Sequence, residues 1–269
     1  MLIETLTGAS DAITAETQVR DQISVSRIKS PNDNAVQGLI ELYATLFPDD
    51  GTHYKPELII ELCDSKYSLG KHIKVDNIVL VAKFRDDIVG FVIAQFYPEY
   101  HKAIISYMGI NKNILEARRI ASIKLLKRIK DILYNDKSDF LFFELYGIRH
   151  SLPQEEGSKQ KARATLFKKI VKSLDIQAYE LQFDYQCPKV TLTDESHEYP
   201  SILLCIPIWK KLLTPVPKQI IIDFLNFLYL CSYGDIYPII DPKFNIYQEY
   251  LRQKIKYYEE SLPNFINAV

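Results

Sequence analysis

None of the four cysteines (Cys63, Cys187, Cys205, Cys231) forms a C-x-x-C pair or joins a histidine cluster. That leaves no sequence basis for a zinc site or a disulfide framework, and no metal is expected. The first residues, MLIETLTGASDAITAETQ, have neither a basic stretch nor an apolar one, so they do not read as a signal peptide. No apolar run reaches membrane-spanning length. The longest, IIIDFLNFLYLC from Ile220, is short and carries Asp223 and Asn226. A reduced, cytoplasmic setting is the expectation. Charge of one sign is missing too: the formal net charge is -1. No overall field therefore points to nucleic acid or an anionic membrane. Gly-x-Ser-x-Gly, a GKS/T loop and His-Glu-x-x-His do not occur. The five histidines are scattered and read as surface residues.

What is present is an ordinary globular composition, 47% apolar and 25% charged, over 269 residues. That suits one large domain or one domain with an appendage. Residues 1–22 lack clear periodicity and read as a flexible terminus. Ile23 to Ile28 alternates like a half-buried strand. Val36, Leu39, Ile40, Tyr43 and Leu46 follow helical spacing, and a second helix opens at Pro56. Ile78–Phe84, Ile88–Tyr97 and Ala103–Ile110 read as a three-strand meander, the first two joined by the polar turn Arg85-Asp86-Asp87. Leu115–Leu133 is the strongest helix signal, with a basic face from Arg118 to Lys130. Phe140–Leu145 is nearly all apolar and reads as a central strand. A further helix around Ala162–Leu174 precedes two strands, Ala178–Tyr185 and Ile202–Ile208. Prolines 207, 215 and 217 lead into a different segment. It offers an apolar helix, Ile220–Leu230, and a Tyr-rich helix, Tyr247–Leu262, which together are too small for a core of their own.

The order strand, two helices, meander, helix, strand, helix, two strands resembles the core of the GCN5-related N-acetyltransferase (GNAT) family over about residues 23–208. Met108-Gly109-Ile110 at the end of the third meander strand carries the resemblance, as does Asp184-Tyr185-Gln186-Cys187-Pro188, similar to a Tyr-Tyr-x-Pro element in one subgroup. The resemblance implies an α/β (α+β) fold: a mixed, mostly antiparallel sheet flanked by helices, occupying residues 23–212, with a helical appendage at 213–269. It implies acetyl-CoA as cofactor. Backbone at Met108 and Ile110 would pair with the pantetheine arm, and the helix start around Arg118, Arg119, Ile120, Ala121 and Ser122 would hold the pyrophosphate.

Two departures stand out. The family pattern Gln/Arg-x-x-Gly-x-Gly/Ala aligns with Glu116 to Ala121, where only Ala121 fits. The tyrosine that often protonates the leaving thiolate aligns with Phe167, which has no proton to give. The remaining catalytic candidates are Glu144, a carboxylate inside the central strand, as base, and Tyr107 beside the splay. Each is also open to a structural role. Two readings follow. One is an acyl-CoA-dependent N-acyltransferase whose amine acceptor, a small molecule or a protein, enters between the first helices (Phe47 to Tyr54) and the Asp184-Tyr185 strand end. The other is a GNAT-like binding module without transfer activity, working through a protein partner at the C-terminal helices. In both, the C-terminal tyrosines offer a surface for homo- or hetero-oligomers.

Overall fold

The computed structural model describes residues 20–47, 53–68, 70, 73–111, 113–146, 165, 167, 169–172, 174–189, 192 and 198–269. The expected flexible terminus lies almost wholly outside these residues, as do parts of the helix expected around 162–174.

The apolar runs become the strands of one eight-stranded sheet. They are β1 (Ile23–Ile28), β2 (Asp76–Phe84), β3 (Asp87–Tyr97), β4 (Lys102–Ile110), β5 (Phe140–Tyr146), β6 (Tyr179–Glu180), β7 (Gln186–Cys187) and β8 (Tyr199–Pro207). The order is β1-β2-β3-β4-β5-β8-β6, with β7 also paired to β8. Every pairing is antiparallel except β4 with β5. That parallel pairing requires a crossover connection, which α3 (Leu115–Asn135) supplies. Helices α1 (Val36–Leu46) and α2 (Pro56–Leu62) fill the earlier β1–β2 connection.

One strand expectation is corrected. Residues 178–185 do not form a continuous strand. β6 is two residues long, and beyond it Phe183 and Tyr185 donate backbone N–H groups to carbonyls two residues back, which curls the chain away from β8 until β7. The other side of β6 is paired with the C-terminus: Glu180 and Val269 exchange backbone hydrogen bonds at 2.7 and 3.1 Å.

Alternation along the strands sorts side chains onto two faces. On one, Leu80, Val92, Ala94, Ile105 and Leu141 pack against Ile120, Leu125 and Ile129 of α3 and against the helical residues Phe167 and Ile170. The opposite face has two covers. α1 and α2 lie over Val79, Val81, Phe91 and Ile93. The C-terminal segment lies over Ile104, Phe140, Phe142, Leu203 and Cys205.

That segment contains β9 (Val216–Pro217), α4 (Lys218–Asn226), a π-helical turn (Phe227–Tyr233), α5 (Pro242–Ser261) and β10 (Phe265–Ile266). The sequence pattern asked for cover on several sides of Ile220–Leu230, and this chain provides it. Phe224 packs edge-on to Phe142 at 4.9 Å between ring centroids, and Phe227 meets Tyr97 at 5.3 Å. The Tyr-rich helix turns Tyr247, Tyr250 and Tyr258 inward and leaves Tyr257 exposed. Tyr247 hydroxyl donates to the Lys189 carbonyl, Tyr258 donates to the Asp184 carbonyl at 2.9 Å, and Lys189 N–H donates to Tyr250 at 3.1 Å. These hydroxyls fix the path of residues 184–192, which have little strand pairing of their own.

Since Phe227 is 2% exposed between the sheet and α5, Phe227→Ala should cost about 3–5 kcal/mol of unfolding free energy. Urea denaturation followed by far-UV and near-UV signals should show one coincident transition at a lower midpoint. Two separated transitions would mean that the C-terminal segment unfolds independently of the sheet.

Candidate active site

Pairing between β4 and β5 is confined to Lys102–Ile105 against Phe140–Phe143. Beyond it the strands part. The register of β3 against β4 skips Ser106, with Ile93 opposite Tyr107 and Ala94 opposite Ile105. A bulge adds local twist and bends its strand, so β4 turns away from β5 where the parallel ladder stops. The V-shaped opening anticipated between these strands is therefore present. Gly109 keeps the outgoing strand close to α1: a Cβ there would lie 2.7 Å from both Leu46 and Phe91.

A cavity of 390 Å³ occupies the opening. It is lined by β4 from Ile104 to Ile110, by Phe143, Glu144 and Leu145 of β5, and by side chains from both faces of the sheet. On the α3 face these are Arg118, Ser122, Phe167 and Ile170; on the other they are Phe47, His53, Tyr54, Cys187 and Tyr233. The cavity thus runs through the sheet, with chemically different ends.

The α3 end holds most of the residues expected to bind the cofactor. Met108 and Ile110 line it, and Arg118 projects into it. Ser122 lines it as well, its hydroxyl donating to the Arg118 carbonyl at 2.9 Å. Helical rotation sends the others elsewhere. Ala121 is 0% and Ile120 7% exposed in the core beneath α3, and Arg119 is exposed outside the lining. The helix begins after Ile114 without a side-chain cap, so its first N–H groups are not spent on one. Phe167 fills the position of the missing tyrosine and stacks on Phe143 at 4.5 Å.

Glu144 lies at the centre. It is on the β5 face that carries Phe140 and Phe142, surrounded by protein and reached only from the cavity. Tyr185 donates to Oε1, and Tyr233 donates to Oε2 at 2.8 Å. Cys187 is close to the carboxyl, and its Sγ donates to Ser201 Oγ at 3.1 Å. Burial pushes the carboxyl above its ordinary value of 4.5, and the hydrogen bonds from Tyr185 and Tyr233 oppose that rise. A carboxylate offers about four lone-pair sites, so two hydroxyl donors leave capacity for a further one from the cavity.

At the far end, Tyr107 is the hub of an aromatic group. Phe47, His53 and Tyr54 meet it edge-on at centroid distances of 5.2, 6.1 and 5.5 Å. Tyr54 N–H donates to Tyr107 Oη at 3.0 Å, and Tyr43 Oη donates to the Tyr54 carbonyl at 2.8 Å. Sequence reasoning placed His53 on the surface, and this is corrected: it lines the cavity. It also missed Tyr185, Cys187 and Tyr233 as neighbours of Glu144. The sequence signal for the first two lay in Asp184-Tyr185-Gln186-Cys187-Pro188. Tyr233 had none, being 89 positions from its partner. Among the described residues no group of side chains could hold a metal, and no helix is long and apolar enough to cross a membrane.

The Glu144 environment has a measurable consequence. The native carboxyl holds a proton that the unfolded chain releases above about 4.5. The native state binds more protons in that window, so unfolding free energy should fall as pH rises from 4.5 toward the raised value. Glu144→Gln should remove this slope. Tyr185→Phe with Tyr233→Phe should extend it to higher pH, since the groups opposing the rise are gone. Denaturation of the three proteins at matched pH values measures the slopes; identical slopes would refute the assignment.

No protein-family model and no curated protein sequence matches this chain. Similarity lies in solved structures. A GNAT-family protein of Bacteroides thetaiotaomicron superposes with a TM-score of 0.51 at 14% identity, covering 78% of this chain and 98% of its own. The aminoglycoside 6'-N-acetyltransferase of Enterococcus faecium gives 0.47 at 13% identity, over 70% and 98%. The ribosomal-protein-S18-alanine N-acetyltransferase of Escherichia coli gives 0.44 at 12%, over 72% and 98%. With its mostly antiparallel sheet flanked by helices, this chain has, in divergent form, the GNAT acetyltransferase fold.

Proposed function

We propose that the protein is an acyl-CoA-dependent N-acyltransferase with acetyl-CoA as donor. The observation that carries this is a half-buried, hydrogen-bonded carboxylate, Glu144, facing a cavity that passes through the sheet between a cationic end and an aromatic end.

The residues present fit the donor. The β4 edge from Ser106 to Ile110 lines the cavity free of β5, and can pair with the amides of a pantetheine arm as an added strand would. Arg118 and the uncapped start of α3 suit a pyrophosphate. Arg119, which stands where the family pattern has glycine, does not fill the cavity: it is exposed and outside the lining. Acetyl-CoA supplies an activated thioester. The chain's part is to hold that thioester in the splay and bring an amine against its carbonyl. Glu144, at a raised pKa, takes the proton from the amine nitrogen. Tyr185 and Tyr233 hold the carboxyl in place. A thiol titrates near 8.5, so the thiolate can leave without a tyrosine at position 167.

Phe167 favours a second reading, ligand binding without transfer, and one set of measurements separates the two. Calorimetry should detect acetyl-CoA binding. Arg118→Ala should weaken it roughly ten- to a hundredfold and flatten its salt dependence. Arg119→Ala, on the outer side, should have the smaller effect. Glu144→Gln should keep the affinity while lowering acetyl transfer by about 10²–10⁴. Binding without turnover on any amine would establish the second reading, and no binding would overturn both.

A further inference from the structure

We infer that the acetyl group passes through Cys187: its thiol takes the group from the donor as a covalent thioester, and the amine takes it from there. The inference rests on the transfer reading, and on a thiol in the cavity that this reading leaves unused.

Three of the four cysteines belong to the core, Cys63 and Cys205 at 0% exposure and Cys231 at 5%. Cys187 alone lines the cavity. Its backbone is fixed on both sides. Tyr258 Oη accepts from the Gln186 N–H at 3.0 Å, Tyr229 donates to the Gln186 carbonyl at 2.6 Å, and β7 pairs Cys187 with Tyr199 of β8. Pro188 follows, with the fixed φ of its ring. The sulfur is placed as well. Sγ donates to Ser201 Oγ at 3.1 Å, and Ser201 spends its own proton on the Tyr199 carbonyl at 3.4 Å. A cysteine that only filled space would need neither an opening to the cavity nor a base beside it.

A nucleophile, a base within reach and groups that orient the base form the arrangement that activates a thiol. The base here is Glu144, close to Cys187 and held by Tyr185 at Oε1 and by Tyr233 at Oε2. Burial holds the Cys187 thiol above its ordinary range, so it stays protonated until the carboxylate takes its proton. The S–H bond to Ser201 is a weak one, and rotation about Cβ–Sγ turns the hydrogen toward Glu144 without moving the sulfur. In the first step Glu144 takes this proton, Cys187 Sγ bonds to the carbonyl carbon of the thioester, and the bond from that carbon to the CoA sulfur breaks. Glu144 returns the proton to the departing sulfur. One thioester replaces another, so no further reactant is required. In the second step the amine nitrogen bonds to the same carbon, the bond to Cys187 Sγ breaks, and Glu144 carries the amine proton to that sulfur. The proton that a tyrosine at position 167 would give to CoA thus comes from Cys187 itself.

The test incubates the full-length chain without amine, first with acetyl-CoA and then with a short thioester, S-acetyl-N-acetylcysteamine. Intact mass spectrometry should show one acetyl group per chain. Hydroxylamine at neutral pH should remove it, and peptide mapping should place it on Cys187. Isotopically labelled CoA should exchange into acetyl-CoA under the same conditions. Glu144→Gln should slow acylation by about 10²–10⁴. Cys187→Ala should lose the adduct, the exchange and the transfer, while calorimetry shows its acetyl-CoA affinity kept. The wild-type adduct and exchange decide the matter even if that variant fails to fold. Turnover with no adduct and no exchange overturns the inference and leaves the transfer reading standing. So does an adduct that forms more slowly than the transfer it should precede, or a Cys187→Ala protein that transfers at the wild-type rate. Acylation of Cys187 by the short thioester, in a chain that does not bind acetyl-CoA, keeps the inference and removes acetyl-CoA as donor. No adduct from either thioester overturns the inference.

Discussion

A carboxylate in the middle of a sheet must be hydrogen-bonded, and much of this structure follows from meeting that requirement at Glu144. Leaving such a charge buried and unpaired costs several kcal/mol, more than most single contacts return. Two of its donors come from parts of the chain that β5 does not otherwise reach. Tyr185 sits where the chain has curled off the sheet after β6, and Tyr233 ends the π-helical turn of the C-terminal segment. Neither position is held by a long strand or a regular helix, so each needs support of its own. The tyrosines give it. Tyr258 holds the Asp184 carbonyl and accepts from Gln186, and Tyr229 donates to the Gln186 carbonyl at 2.6 Å. Asp235, two residues past Tyr233, is buried and accepts from Ser68 at 2.8 Å and from the Gly70 N–H at 3.1 Å. The C-terminal segment is thus tied at both sides of Tyr233, to residues 184–186 and to the loop after α2.

The bulge at Ser106 is the second constraint, and it works with the first. If β4 and β5 stayed paired to their ends, Glu144 would face a closed surface and its hydrogen bonds would serve only structure. Because pairing stops at Ile105 and Phe143, the next residue on β5, Glu144, lies on the unpaired part of the strand and borders the cavity. The residue after the bulge, Tyr107, borders it from the other side. The same irregularity in the ladder positions Glu144 and the hub of the aromatic group.

Most of the architecture was legible because its signals are local. Continuous apolar runs gave β2, β3, β4 and β5, the 3.6-residue period gave α1 and α3, and their order gave the fold. The residues that failed did so for identifiable reasons. Ala178–Tyr185 has the composition of a strand, but it pairs with β8 only briefly and otherwise with the distant Val269 and Asn267, and the i to i+2 bonds that bend it leave no pattern in the sequence. His53 reads as a loop histidine because one residue type in a loop says nothing about what it faces. The late tyrosines suggested an interaction surface. Their hydroxyls also meet the backbone of residues 184–189, an internal role that no window of sequence contains because the pairings span 43 to 74 positions. Glu144 was legible for the opposite reason: a charge inside LFFELY contradicts its surroundings, and such contradictions mark sites.

The departures from the acetyltransferase pattern acquire a physical meaning once the helix is seen in place. A glycine in that motif is needed where a side chain would stand between phosphate and backbone. On α3, Arg119 is rotated out of the cavity and Ile120 into the core, where the sheet requires an apolar residue. The positions that face the opening are Arg118 and Ser122, one turn apart. A long cation reaching in from the side can supply by charge what a glycine-lined turn supplies by close approach, and it does so at a greater distance from the helix. The requirement placed on the sequence is then different: a basic residue at 118, and small or apolar residues wherever the helix meets the sheet.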